Sequence, residues 1–185
     1  MILDLDAMPK FSEQWKHGAA VMLFNTDHWW LQKRPFDFFQ YQGKLIKETP
    51  IGRALKLGTR TWASWIEANV DTRKTKVFFR SISPYHHEKR WCYMITEPLA
   101  DLNSFVQIYP PSYVKVVEEV ITVMKVHVTY LNITKLSQYR IDEHLSVYES
   151  PKNHARQRTN CSHWCVPGLP DTWNRLMYSS IVWDN

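Results

Sequence analysis

His163 is the residue whose surroundings could do chemistry. It lies in "NCSHWCVPGLPDTWN", residues 160–174, which holds two cysteines, a histidine, two tryptophans and two prolines in fifteen positions. In Ser-His-Asp hydrolases and acyltransferases the acid often stands three residues before the histidine, a spacing that lets both side chains meet across one tight turn. There the acid fixes the imidazole tautomer and stabilises the imidazolium. Here that position is Asn160. Asparagine has the acid's shape without its charge, and it can present an amide donor where an acceptor is needed. Cys161 and Cys165 permit a second reading. Their spacing suits a zinc ligand pair, and His144 or His154 could complete the set.

These residues need a scaffold. "AAVMLFN" is an apolar run of strand length that ends at the polar "NTDH". An aromatic loop, "HWWLQKRPFDFFQYQGK", follows it. After Pro50, Ala54, Leu55, Trp62, Trp65 and Ile66 recur at near-helical spacing. "TKVFFRSIS" reads as a strand ending at Ser83-Pro84. "PPSYVKVVEEVITVMK" opens with prolines as helices do, and Val114, Val117, Ile121 and Met124 form its apolar face. Its β-branched content leaves a strand open for part of it. "VHVTYLNIT" alternates as a third strand, and "LPDTWNRLMYSSIVW" reads as a helix capped by Asp171. Alternating strands and helices predict an α/β fold with a parallel sheet. Sites in such sheets gather at the carboxyl ends of the strands. That edge would carry "NTDHWW", "SISPYHH" and the segment before "NCSHWC".

The chain has 185 residues, enough for one domain with a substantial core. Charged residues are 22% and hydrophobic ones 44%, which argues against disorder. Nine Trp, nine Tyr and eight Phe suit a dense core or a surface that stacks on sugar rings. A net charge of +5 is spread along the chain, and no nucleic-acid module is present. No apolar run is long enough to span a membrane. "MILDLDAMPK", with acids at Asp4 and Asp6, does not read as a signal peptide. Three cysteines, Cys92, Cys161 and Cys165, leave one unpaired in an oxidising compartment. The sequons Asn132-Ile-Thr and Asn160-Cys-Ser matter only on a secretory route.

Four segments together resemble the plant trichome birefringence-like family of cell-wall polysaccharide O-acetyltransferases. The family's Asp-Cys-Ser-His-Trp-Cys-(Leu/Val)-Pro-Gly-(Val/Leu)-Pro-Asp-Thr-Trp-Asn signature is matched at every position but Asn160. "FNTGHWW" is matched by Phe24 to Trp30, with Asp27 for Gly. "FR-x-x-SP-x-H" is matched by Phe79, Arg80, Ser83, Pro84 and His86. "R-x-D-x-HPS-x-Y" is matched by Arg140, Asp142, His144, Ser146 and Tyr148, with Leu145 for Pro.

The resemblance implies a three-layer α/β/α SGNH-hydrolase-like fold, of which residues 1–185 would form the C-terminal portion. It implies a Golgi enzyme that moves an acetyl group onto the hydroxyls of xylan or a related glycan. Family members carry a membrane anchor, a cysteine-rich N-terminal segment and a nucleophilic serine in Gly-Asp-Ser; none of these occurs in the 185 residues. No bound cofactor is implied, and the acetyl donor is left open between acetyl-CoA and an acetylated intermediate. His163 would be the general base, with Asn160 in the acid's position. Asn25, His28, Trp29, Trp30, Arg80 and His86 would serve the oxyanion or the substrate. Asn25 could equally be a loop cap, and the tryptophans could fill the core. The family pattern pairs Cys92 with Cys161 and leaves Cys165 for a cysteine elsewhere. Trp91 is followed directly by Cys92, without the family's Gly-Gly stretch, so this loop is shorter. With neither the serine nor the acid, the isolated chain is expected to be inactive. The rival readings are a polysaccharide-binding module without catalysis and a zinc-binding protein.

Overall fold

The computed structural model describes residues 1–16, 18–26, 30, 36–86, 92, 95–101, 111–145 and 160–183. The chain divides into two compact units. One comprises residues 1–81 and 109–130, the other residues 82–108 and 131–185.

The first unit is built on two small sheets. In one, β2 (Val21–Asn25) runs parallel to β5 (Lys76–Arg80), with β6 (Thr129–Leu131) on the far side of β5. These are the three strands expected from "AAVMLFN", "TKVFFRSIS" and "VHVTYLNIT". Helix α1 (Ile51–Asn69) starts directly after Pro50, whose fixed φ and missing N–H suit a helix start. It buries Ala54, Leu55, Thr59, Trp62, Ala63 and Ile66, a stripe of helical period. Leu55, Trp62, Ala63 and Ile66 of that stripe pack with Met22, Val77 and Phe79 of the sheet and with Val117 and Val120 of α2 (Pro111–Thr122), and Ala54 packs with Leu5 and Phe39. Despite its valines, α2 is a helix, because its apolar positions recur at three- and four-residue intervals and give one buried face.

The second sheet corrects the expectation of an aromatic loop. β3 (Phe38–Tyr41) pairs parallel with β1 (Ile2–Asp4) and antiparallel with β4 (Lys44–Ile46). The hairpin turns on Gln42 and Gly43, at φ 51° and 70°. Two consecutive positive φ values are those of the tight turn whose twist matches paired strands.

The second unit holds the short helix α3 (Thr134–Gln138), a 3₁₀ turn at Ile141–Glu143 and helix α4 (Leu169–Trp183). Ile133, Leu169 and Trp173 form one small core, and Cys92, Leu99, Ile141 and Cys161 another. α4 begins at Leu169 rather than after Asp171. Asp171 reaches back from inside the first turn to accept the Gly168 N–H at 2.7 Å, and Glu143 accepts the Leu169 N–H at 2.6 Å. Two carboxylates thus satisfy donors at the positive end of the helix. No described helix is long and apolar enough to cross a membrane.

Candidate active site

Asn160 and His163 meet as their spacing predicts. Asn160 Oδ1 is 2.9 Å from Nδ1 of His163. The same oxygen accepts the backbone N–H groups of Ser162 at 3.2 Å and His163 at 3.1 Å, and the Ser162 hydroxyl at 3.0 Å. Two main-chain donors therefore fix which end of the amide faces the imidazole. Of the amide's two ends, the donor that asparagine can present is turned away: an N–H group cannot face the main-chain N–H groups, so the oxygen does. His163 consequently carries its proton on Nδ1 and leaves Nε2 as the basic nitrogen. The ring is solvent-exposed, and Nε2 has no partner among the described residues.

The main chain of His163 is held from beneath as well. His144 Nδ1 is 2.7 Å from the carbonyl oxygen of His163. His144 pairs with Trp164 as an antiparallel bridge, and the Cys165 N–H donates to the Glu143 carbonyl at 3.0 Å. "RIDEH", residues 140–144, is thus sewn alongside the histidine loop. Arg140 forks onto Asp142 at 3.1 and 3.0 Å and also grips Glu143. Facing carboxylates hold the Arg140 guanidinium above its ordinary pKa.

His86 is placed differently from expectation. It is completely buried, with Nδ1 at 2.7 Å from His144 Nε2 and Nε2 at 3.0 Å from the Gln138 carbonyl. Both ring nitrogens are occupied, so the ring supports its neighbours and offers a substrate no free edge. His144, read from sequence as a motif match or metal ligand, belongs to this interior pair. The signal for both was in the motifs "SPYH" and "RIDEH"; the contact, 58 residues apart in the chain, was not.

Cys92 and Cys161 form a disulfide with Cα atoms 5.7 Å apart, and Cys165 is a free thiol. Burial, with Glu143 nearby, raises the Cys165 pKa. The zinc reading loses Cys161 to the bridge, and both ring nitrogens of His144 are engaged. His28, Trp29 and His154 lie outside the described residues.

In the first unit, Asn25 and Arg80 pair in register at the carboxyl ends of β2 and β5. Asn25 is exposed and Arg80 half-buried. Trp30 packs 5.8 Å from Phe36, with its Nε1 donating to Thr26, in the manner of a core residue. This unit also has an open cavity of about 520 Å³, lined by Asp6, Tyr41, Arg60, Thr61, Ser64 and Trp65 among others. None of the site residues predicted from sequence lines it.

Within an α/β chain, the Asn160-x-x-His163 element thus leaves the exposed Nε2 as its basic nitrogen. The family described as PC-Esterase, the GDSL/SGNH-like acyl-esterase family found in Pmr5 and Cas1p, matches residues 1–180, and the chain belongs to it. Among its relatives, trichome birefringence-like protein 6 of Arabidopsis thaliana is 40% identical over 97% of this chain and 39% of its own length. Trichome birefringence-like protein 38 of the same plant is 40% identical over 98% and 48%. A probable xylan O-acetyltransferase 8 of Oryza sativa subsp. japonica is 33% identical over 97% and 45%. The chain spans less than half the length of each of these three relatives.

Proposed function

We propose that these residues supply the acid–base half of an O-acetyltransferase acting on a plant cell-wall polysaccharide, xylan or a related glycan, in the Golgi. The nucleophile in this reading is a serine of a Gly-Asp-Ser segment outside the 185 residues. His163 Nε2 takes the serine proton as Oγ attacks the acetyl carbonyl, and returns a proton to the departing donor. It then takes the proton of a sugar hydroxyl as that oxygen attacks the acetyl-serine, and gives it back to the serine. Asn25, at its strand end, is proposed to donate to the oxyanion. Arg80 beside it is proposed to contact donor or glycan, and His28 and Trp29 are proposed to serve the same bound groups, whereas Trp30 fills the core. By itself the chain completes no turnover in this reading.

The observation that carries the proposal is the 2.9 Å contact between Asn160 Oδ1 and His163 Nδ1, which leaves Nε2 basic. The test joins the chain to the Gly-Asp-Ser-bearing half of a trichome birefringence-like relative. Acetyl transfer to xylo-oligosaccharides is then measured, with acetyl-CoA and with acetylated glycan as donors. Transfer that His163→Ala abolishes supports the reading; binding of xylan without transfer from either donor would replace it with the binding-module alternative, which loss of the acid's charge at Asn160 favours.

A further inference from the structure

We propose that His86 and His144 share a single proton between them, forming a buried imidazole–imidazolium pair that positions His163. Each outer nitrogen of this pair faces a carbonyl oxygen. His144 Nδ1 is 2.7 Å from the His163 carbonyl, and His86 Nε2 is 3.0 Å from the Gln138 carbonyl. A carbonyl only accepts, so both outer nitrogens carry hydrogen. A neutral imidazole has one N–H, and each ring has spent it outward. The inner nitrogens, His86 Nδ1 and His144 Nε2, are 2.7 Å apart. Two lone pairs at that separation repel. One added proton turns the contact into a short charge-assisted hydrogen bond.

A buried charge needs compensation. Among the described residues, the ionisable groups that face the pair are Asp142 and His163. Behind Asp142 stand Arg140 and Glu143. One guanidinium against two carboxylates leaves one negative charge, which the shared proton balances. The indole of Trp164 stacks on the His144 ring, centroids 4.0 Å apart and planes at 29°, and meets the His86 ring with its edge at 5.7 Å. A charged imidazole is favoured against an aromatic face. Burial pushes each imidazole down to about 4, with the Asp142 carboxylate pulling the other way; against that depression stand the three contacts of 2.7, 2.7 and 3.0 Å, which two ring protons cannot fill and three can. The pair titrates as a unit.

The pair grips the carbonyl of His163, while Asn160 grips the N–H of the same residue. The peptide groups on both sides of the His163 Cα are therefore fixed, which sets the direction of the imidazole. Two neutral rings would repel across the inner contact and loosen one of the two carbonyl bonds. The positioning role rests on the acyl-transfer reading above; the protonation state does not.

The decisive experiment is ¹⁵N NMR of the histidine rings, recorded at neutral pH on the 185-residue chain and on the same chain joined to a relative's Gly-Asp-Ser half. Three ring protons over the four nitrogens of His86 and His144, with one strongly downfield proton coupled to both rings, is the result expected. Two protons, one on each neutral ring, would overturn the proposal whatever the activity. In the joined protein, His144→Gln should lower kcat by about tenfold to a hundredfold through misplacement of His163, with KM little changed. A folded His144→Gln protein with unaltered kcat and pH profile overturns the positioning role. If the joined protein transfers no acetyl at all, the functional reading fails and the NMR result still decides the proton.

Discussion

Asn160 Oδ1 accepts from His163 Nδ1 at 2.9 Å while also accepting the backbone N–H groups of Ser162 and His163. The neutral residue in the acid's position therefore keeps one of the acid's two roles. It selects the tautomer, as the asparagine of a Cys-His-Asn protease does, and gives up the charge that would stabilise the imidazolium.

Restoring that charge should matter less than a serine-protease comparison suggests. There, Asp-to-Asn costs about 10⁴ in kcat because the wrong tautomer results. Here the tautomer is already right. In the protein completed with a Gly-Asp-Ser half, Asn160→Asp should raise kcat by about tenfold to a hundredfold, the value of charge alone. Asn160→Ala should lower it, since two loop N–H groups and the imidazole lose their common acceptor. His163→Ala should remove activity in every background. An Asn160→Asp gain near 10⁴ would mean that the amide does not hold the tautomer.

The disulfide is a matter of pairing that peptide mapping settles. Material made under oxidising conditions should contain the Cys92–Cys161 link and leave Cys165 alkylatable. The bridge joins positions 69 residues apart, and a loop of that size is worth about 4 kcal/mol through the entropy of the unfolded chain. Cys161→Ser should lower the urea midpoint accordingly. A Cys161–Cys165 link, or no loss of stability on reduction, would contradict this.

Much of this could be read from the residues alone. Helices α1, α2 and α4 announce themselves by apolar period, and β2 and β5 by apolar runs that stop at Asn25 and Arg80. The short span from Asn160 to His163 fixes their contact. What was hidden depends on the fold rather than on local spacing. The way the Asn160 amide faces is decided by backbone donors that exist only once the loop has closed. Residues 38–46 looked like an aromatic loop because Gln42-Gly43 is a weaker turn signal than Asn-Gly, although Gln42 adopts the same positive φ. The meeting of His86 with His144 joins two loops, and no periodicity relates them.

Stability should pass through a maximum as pH changes. Unfolded imidazoles take up protons near pH 6.5, whereas burial holds His86 and His144 down to about 4. The stability this depression contributes is present above about 6.5 and is lost as pH falls toward about 4. Against that depression, the shared proton proposed from the three ring contacts gives the opposite slope on the alkaline side: a folded pair that holds one proton loses stability where the unfolded rings hold almost none. Urea midpoints measured across this range should therefore fall on both sides of about pH 6.5. A plateau on the alkaline side would indicate two neutral rings, and His144→Gln should flatten both limbs.

Two glycines should respond to alanine with opposite signs. At Gly168 an added Cβ would lie 2.5 Å from Glu143 Oε2 and 2.7 Å from the carbonyl oxygen of Cys165. Neither neighbour yields easily. Glu143 is held by Arg140 and by the Leu169 N–H, and the Cys165 carbonyl is main chain in the loop that follows His163. Gly168→Ala must push the start of α4 away from the histidine loop, at a cost of about 1–3 kcal/mol. In the completed protein it should also lower kcat, because the displaced loop carries His163. At Gly58, within α1, the nearest atom is Leu5 Cδ2 at 3.6 Å, an ordinary contact. Gly58→Ala removes a helix-weakening residue without a clash and should stabilise the protein by about 0.5–1 kcal/mol. Urea midpoints of both variants against the parent chain make the comparison. If Gly168→Ala is neutral, the loop is looser than the contact with Cys165 requires, and the rigid placement of His163 argued from its two gripping bonds fails with it.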